Sequence, residues 1–187
     1  MLNFNFWPFP VLQTERLVLR QLSLSDDKDI YFLRSDSKVN EYIDKPFAQS
    51  ITDAQQFIQK INAGIQKNEN LYWGISNKNK SKLIGTICLW NFEADKLQAE
   101  TGYALHPDFQ GKGVMKEALL KVIEYGFNQL NLQSIKAFTH PENKKSIKLL
   151  EKLHFTRDLN TENEFEAKGI NIPEIIFSIQ NIIMSDN

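Results

Sequence analysis

Three strand-like stretches follow one another between Leu71 and Leu105, and at Gly113 the spacing of apolar residues switches to that of a helix. This order constrains the fold more than any other feature of the chain. Leu71–Ser76, Lys82–Phe92 and Gln98–Leu105 are separated closely enough to pair as an antiparallel meander. Asn77-Lys78-Asn79-Lys80, between the first two, has the composition of a hairpin turn. From Gly113 to Leu130, residues such as Met115, Ala118, Leu119, Val122 and Ile123 return at helical spacing. Ser134–Thr139 reads as a further strand and Asn143–Leu153 as a second helix, with Ile147, Leu150 and Leu153 on one face. A meander that runs into a strand–helix–strand unit predicts an α+β fold. Its sheet is mixed, with helices on its faces.

The flanks agree with that plan. Thr14–Gln21 alternates like a half-buried strand. Ser25-Asp26-Asp27 offers short oxygen side chains to cap a helix running to about Ser35. Ser50–Lys67 is amphipathic over a longer helix, and Glu174–Ile183 reads as a final strand. Thr156–Gly169 is polar and acidic without a clear period. No repeat or flexible linker divides the chain, so residues 1–187 read as a single domain. Residues 1–11 form an aromatic arm (Phe4, Phe6, Trp7, Phe9), expected to pack on the domain or on a partner. The arm has no basic start and is broken by Pro8 and Pro10, unlike a signal peptide. No apolar run is long enough to span a bilayer. The expected setting is therefore cytoplasmic, without membrane contact.

Charge and cysteine content exclude several classes. The net charge of −1 argues against a nucleic-acid binder held by phosphate neutralisation. A single cysteine, Cys88, excludes an internal disulfide and reads as a small core residue. Three histidines and one cysteine do not make a structural zinc site of the usual spacing, so no metal is expected.

Leu105 to Met115 (LHPDFQGKGVM) links a strand to the long helix. Two glycines one residue apart at such a turn let backbone N–H groups converge, and the helix start adds partial positive charge. That geometry suits a phosphate, although a plain tight turn has the same glycine spacing. The P-loop pattern is absent. The dinucleotide fingerprint fails because Lys116 stands near its third glycine. Local charge favours an anion: residues 111–152 hold eight lysines against four glutamates, in a chain whose net charge is −1.

Gln110-Gly111-Lys112-Gly113-Val114-Met115 resembles the Gln/Arg-x-x-Gly-x-Gly/Ala motif of the GCN5-related N-acetyltransferase superfamily, which binds the pyrophosphate of acetyl-coenzyme A (acetyl-CoA). Ala99–Leu105 looks like that family's fourth strand. Asn143–Ser146 followed by Leu150–Phe155 looks like its last helix and exit. Thr14–Arg20 is similar to the opening strand of the branch containing the ribosomal-protein N-terminal acetyltransferases. The resemblance covers roughly residues 12–180 and implies a central twisted, mostly antiparallel sheet of about seven strands with helices on both faces. It departs at Met115, where a small residue is usual, and at His154, where glycine is usual. A left-handed turn at His154 costs about 1 kcal/mol.

The resemblance implies acetyl transfer from acetyl-CoA to the primary amine of a protein N-terminus or a small molecule, by direct attack in a ternary complex. It assigns cofactor binding to Leu105, Gln110, Gly111, Lys112, Gly113, Val114, Met115, Asn143 and Ser146. The N–H of Leu105 would polarise the thioester. Glu100 is the first candidate for the base, with Glu164 and Glu166 next. Leu150 stands where much of the family has a tyrosine for the departing thiolate, and the serine of the ribosomal-type branch's Asn-x-x-Ser maps by resemblance to Ser146. The acceptor is expected between Asn40–Ser50 and Asp158–Gly169, where Asp158, Glu162, Glu164 and Glu166 would form an acidic rim. His106 and His140 read as structural. A non-catalytic acyl-CoA binding or sensing module is the alternative, and a homodimer stays open.

Overall fold

The alternating stretches assemble into one sheet of eight strands in the order β1-β2-β3-β4-β5-β6-β8-β7. In the computed structural model the described residues are 4–43, 46–162 and 174–181. The strands are β1 (Leu12–Gln13), β2 (Leu17–Gln21), β3 (Asn70–Asn77), β4 (Leu83–Glu93), β5 (Gln98–Leu105), β6 (Ser134–Thr139), β7 (Thr156–Arg157) and β8 (Ile175–Gln180). The longer helices are α1 (Asp27–Ser35), α2 (Ile51–Gln66), α3 (Val114–Asn128) and α4 (Lys144–Lys152), and residues 159–162 are also helical. Eight strands stand where about seven were expected. The pieces without a sequence signal are β1 and β7, two residues each, too short to show a period.

Every neighbouring pair is antiparallel except β5 and β6, which α3 connects as a parallel crossover. The sheet separates two cores. On one face Leu19, Trp73, Ile87 and Ile135 meet the apolar stripes of α3 and α4. On the other, Leu22 and Leu83 meet Ile30 of α1 and Ala54 and Ile58 of α2. Ser50 caps α2 by accepting from the Asp53 N–H, while Asp53 accepts from the Ser50 N–H.

The aromatic arm packs on the domain itself. Phe6 is buried in the larger core, with its ring and that of Phe4 each 4.9 Å from Phe92. The Trp73 indole donates to the Pro10 carbonyl at 2.7 Å. Trp7 faces outward. His154 adopts the left-handed conformation expected of it, with φ of 63°. The reversal lets the Phe155 N–H return to the Leu150 carbonyl at 3.0 Å and seats Phe155 in the core. Among the described residues, no helix is long and apolar enough to cross a membrane.

Candidate active site

β5 pairs with β4 to its end at Leu105, but with β6 only from Gln98–Ser134 to Thr101–Ala137. Beyond Ala137, β6 continues against β8 alone. The two central strands therefore part, and β5 presents an unpaired edge to a gap. The groups facing that gap follow from register. The His106 N–H donates to the Ile84 carbonyl. Hydrogen-bonded positions alternate in an antiparallel pair, so Tyr103 and Leu105 turn their N–H and C=O away from β4 and into the gap. The Leu105 carbonyl accepts from the Gln110 side-chain amide at 3.2 Å, leaving the Leu105 N–H toward the opening. At the vertex, the buried Thr101 hydroxyl has no partner among the described residues.

The glycine turn lies directly beyond this edge. Gly111 and Gly113 both have φ of 74°, a conformation an L side chain adopts only with strain, and Gly113 is the N-cap of α3. The first-turn N–H groups of α3 have no intrahelical acceptor. A Cβ placed on Gly111 would meet no atom within 4 Å, so the space over the loop is open. Val114 and Met115 bury their side chains in the core and offer the loop only their N–H groups, which accommodates the unusual Met115. Lys112 is exposed, with its ammonium 5.9 Å from the centre of the Phe109 ring.

Arg16, not singled out from the sequence, braces the loop. Its Nη1 donates to the Lys112 carbonyl at 3.2 Å and its Nε lies 2.6 Å from Glu117 Oε2. Burial alone would raise the Glu117 carboxyl, but hydrogen bonds from Thr14 and Arg16 hold it below the ordinary value. Arg16 thus neutralises the carboxylate in the first turn of α3 that would otherwise repel an anion there.

α4 closes the other side. Asn143 caps it by accepting the Ser146 N–H on Oδ1 at 3.1 Å. The Lys145 ammonium donates to Gln110 Oε1 at 3.0 Å, which joins α4 to the glycine turn. The Ser146 hydroxyl lies 2.9 Å from that of Tyr103. Gln110, Asn143, Ser146 and the edge of β5 therefore converge. Leu150 is fully buried and takes no part.

Glu100 stands apart from that group. Successive strand residues face opposite sides of a sheet, so Glu100 points away from Tyr103 and from α4. Its cross-strand neighbours are Trp90 and Lys136. It is half-buried, and burial pushes its carboxyl above the ordinary glutamate value, although a 2.7 Å hydrogen bond from the Asn91 amide pulls the other way.

The acidic rim is largely spent in pairs. Asp158 Oδ2 is 3.5 Å from the Lys136 ammonium and accepts from Thr161, while Glu162 binds Arg157 at 2.9 Å. Glu164 and Glu166 lie outside the described residues. The structural readings of the histidines are matched by their contacts. Nδ1 of His106 accepts from the Asp108 N–H, and its ring stacks on Phe32 at 4.3 Å. Nδ1 of His140 accepts from the Glu142 N–H, and its ring stacks on Tyr42. Cys88 is half-buried, with its sulfur 3.4 Å from the Gly102 carbonyl.

Sequence reasoning missed Tyr103, Asn91, Lys145 and Arg16. Alternation alone would have placed Tyr103 on the same side as Leu105, but its meeting with Ser146 spans 43 residues.

Comparison with known proteins places this geometry. The family model of the acetyltransferase (GNAT) domain matches residues 16–156. The uncharacterized N-acetyltransferase p20 of Bacillus licheniformis is 35% identical over 168 residues, 90% of this chain and 94% of that protein. The alanine N-acetyltransferase of ribosomal protein uS5 from Escherichia coli is 28% identical over 155 residues, 79% of this chain and 78% of that protein. Among solved structures, the microcin C7 self-immunity acetyltransferase MccE, in complex with acetyl-CoA and AMP, superposes with a TM-score of 0.74 at 24% identity, over 90% of this chain and 94% of that one. The family model spans the parted strands, the glycine turn and α4 together, and the chain belongs to the GNAT acetyltransferase family.

Proposed function

We propose that this protein transfers an acetyl group from acetyl-CoA to a primary amine by direct attack in a ternary complex. The observation that carries the reading is the parting of β5 and β6 after Thr101 and Ala137, beside the glycine turn. The residues present fit the cosubstrate. The loop offers N–H groups without intrahelical acceptors and open space over Gly111, and at the vertex of β5 and β6 the buried Thr101 hydroxyl lacks a partner among the described residues. When bound, acetyl-CoA supplies the acetyl group as a thioester whose carbonyl carbon an amine attacks while the carbon–sulfur bond breaks.

The chain's own groups divide the work. The N–H groups from Gly111 to Met115, with the start of α3, hold the pyrophosphate charge. The Leu105 N–H donates to the carbonyl oxygen as that oxygen gains charge. Glu100 takes the proton that the amine loses, and its raised carboxyl brings it closer to the pH at which a base works best. Ser146, on the opposite face, donates to the departing sulfur. Base and donor thus approach the gap from two sides of one sheet.

The acceptor is a protein N-terminus or a small amine. The likeness to the uS5 enzyme supports the first. The pairing of Asp158 and Glu162 weakens the case for a polycation, since neither carboxylate is free to attract one.

Two measurements test the proposal. Thermal unfolding is followed with acetyl-CoA, CoA, ATP and NAD, and thiol release is then assayed with an alanine-N-terminal peptide and with spermidine. A shift of several degrees with the two CoA species alone, followed by thiol release with one amine, is expected. No shift at millimolar CoA overturns the cofactor assignment. A shift without release for either amine overturns the transfer assignment and leaves an acyl-CoA binding module.

A further inference from the structure

Tyr103 lies on β5 just beyond the point where β6 leaves, and its hydroxyl meets that of Ser146 at 2.9 Å. Two hydroxyls in one hydrogen bond have two hydrogens but use only one between them. If Ser146 donates to Tyr103, the serine has nothing left to offer. If Tyr103 donates, the Ser146 hydrogen is free for a third atom. A phenol is the more acidic of the two and the better donor. The frame is also fixed from both ends, because the Ser146 N–H is tied to Asn143 Oδ1 and Tyr103 is held by strand pairing with β4.

We propose that Tyr103 is a positioning residue that donates to Ser146 Oγ and thereby directs the Ser146 hydrogen onto the CoA sulfur. This rests on the reading above, in which Ser146 faces that sulfur. Tyr103 itself touches neither cosubstrate nor acceptor in this role. No proton leaves it, and the bond serves only to orient and polarise the serine. Burial pushes the Tyr103 phenol up to about 12, so it remains a protonated donor throughout the neutral range.

The consequence can be read without turnover. A donor aimed at sulfur favours the thiolate, so CoA bound to the protein titrates at lower pH than free CoA. The probe is CoA itself, at saturating protein. The pH dependence of its alkylation by iodoacetamide is read by mass spectrometry, which separates CoA from the chain's one cysteine, Cys88. Only folded protein binds CoA, so partial unfolding adds a component at the free-CoA midpoint rather than moving the bound one.

Ser146→Ala is expected to raise the bound midpoint by about one pH unit, tenfold in thiolate fraction. Tyr103→Phe is expected to raise it by about half a unit or more, with CoA affinity by calorimetry changed less than about threefold. The double variant coincides with Ser146→Ala, because a residue that acts only through the serine has no effect once the serine is gone. The nearby charges, including Lys144, Lys145 and Glu100, are common to all variants and cancel.

Three results overturn the inference, and they separate it from its premise. If Tyr103→Phe leaves the midpoint in place while Ser146→Ala moves it, the positioning role falls and Ser146 stands. If Tyr103→Phe adds its full shift on top of Ser146→Ala, Tyr103 acts on the sulfur independently of the serine. If Ser146→Ala moves nothing, both assignments fall.

Discussion

On the α3 side of the gap between β5 and β6, the groups proposed to hold the diphosphate and the thioester carbonyl of acetyl-CoA are backbone groups. They are the N–H of Leu105, the loop at Gly111 and Gly113, and the first turn of α3. On the other face of β5 the proposed base is one side chain, Glu100, held by Asn91 at 2.7 Å and flanked in register by Trp90 and Lys136. The two regions do different jobs and should fail differently. A backbone cradle binds many atoms weakly and tolerates side-chain change. A lone carboxylate binds little and sets the rate. Substitutions in the backbone cradle should therefore change affinity for acetyl-CoA, and those at Glu100 should change kcat.

Glu100→Gln should give the largest effect. Loss of a general base lowers kcat by about 10²- to 10⁴-fold, while acetyl-CoA affinity stays at the wild-type value. The pH profile carries the sign. Burial, partly opposed by Asn91, raises the Glu100 carboxyl, so below that raised value the group is protonated and cannot accept. Wild-type kcat/KM should fall as pH drops through it, and the Glu100→Gln variant should lose that limb. A variant that keeps kcat, or keeps the limb, removes Glu100 from the reaction.

Gly111→Val comes next and acts on affinity. Its Cβ would meet no protein atom within 4 Å, so the fold bears only the cost of a left-handed L residue, about 1–2 kcal/mol. In a domain of this size that lowers Tm by a few degrees. The new methyl groups would occupy the space over the loop. Calorimetry should show acetyl-CoA binding weakened by more than tenfold, with any residual kcat at saturation changed far less. Affinity that survives a lowered Tm would show that the loop is only a turn.

The same contrast explains what could be read from the sequence. β5 and β6 match their expected bounds because burial on one face writes an alternation into consecutive residues. The glycine turn, the Asn143 cap and the left-handed His154 are likewise local, each decided within a few residues. The parting of the two central strands is not. It depends on β8 entering beside β6, across a segment with no clear period. Nor could the neutralisation of Asp158 by Lys136, or of Glu117 by Arg16, be seen, because the partners lie far apart in the chain. The Asn91 contact with Glu100 needs the irregular register after Trp90 and a positive φ at Asn91, neither of which has a clear signature. The shape of the backbone turn was legible because it follows from spacing, whereas its proposed ligand came from the family resemblance. Side-chain chemistry was partly hidden because tertiary contacts decide its charge.

Asn91→Ala sharpens the catalytic side. It removes the donor that pulls the Glu100 carboxyl down, so the acid limb of kcat/KM should move to higher pH. The rate near the middle of that limb falls several-fold and recovers at higher pH. A limb that stays in place would mean that another group sets it.

The smallest effect tests whether the cradle is purely a matter of backbone. Arg16 and Glu117 form an ion pair at 2.6 Å that is half-exposed on the arginine side, and such pairs contribute at most about 1 kcal/mol to stability. The Glu117 carboxyl is held below its ordinary value despite its burial, by Thr14 and Arg16. A lowered acid stabilises the fold above its unfolded value, about 4.3. That contribution is lost as pH falls through the folded value, so it is fully present at neutral pH. Arg16→Met should therefore cost little in Tm. It also leaves the Glu117 carboxylate, still bonded by Thr14 and the backbone N–H of residue 16, without a cation in the first turn of α3, beside the place proposed for pyrophosphate. Acetyl-CoA affinity should fall about three- to tenfold, more steeply at low ionic strength. Adding Glu117→Gln removes the exposed charge and should restore most of the affinity without restoring the ion pair. A double variant as weak as Arg16→Met alone would show that Arg16 matters as a brace on the Lys112 carbonyl rather than as a counter-charge.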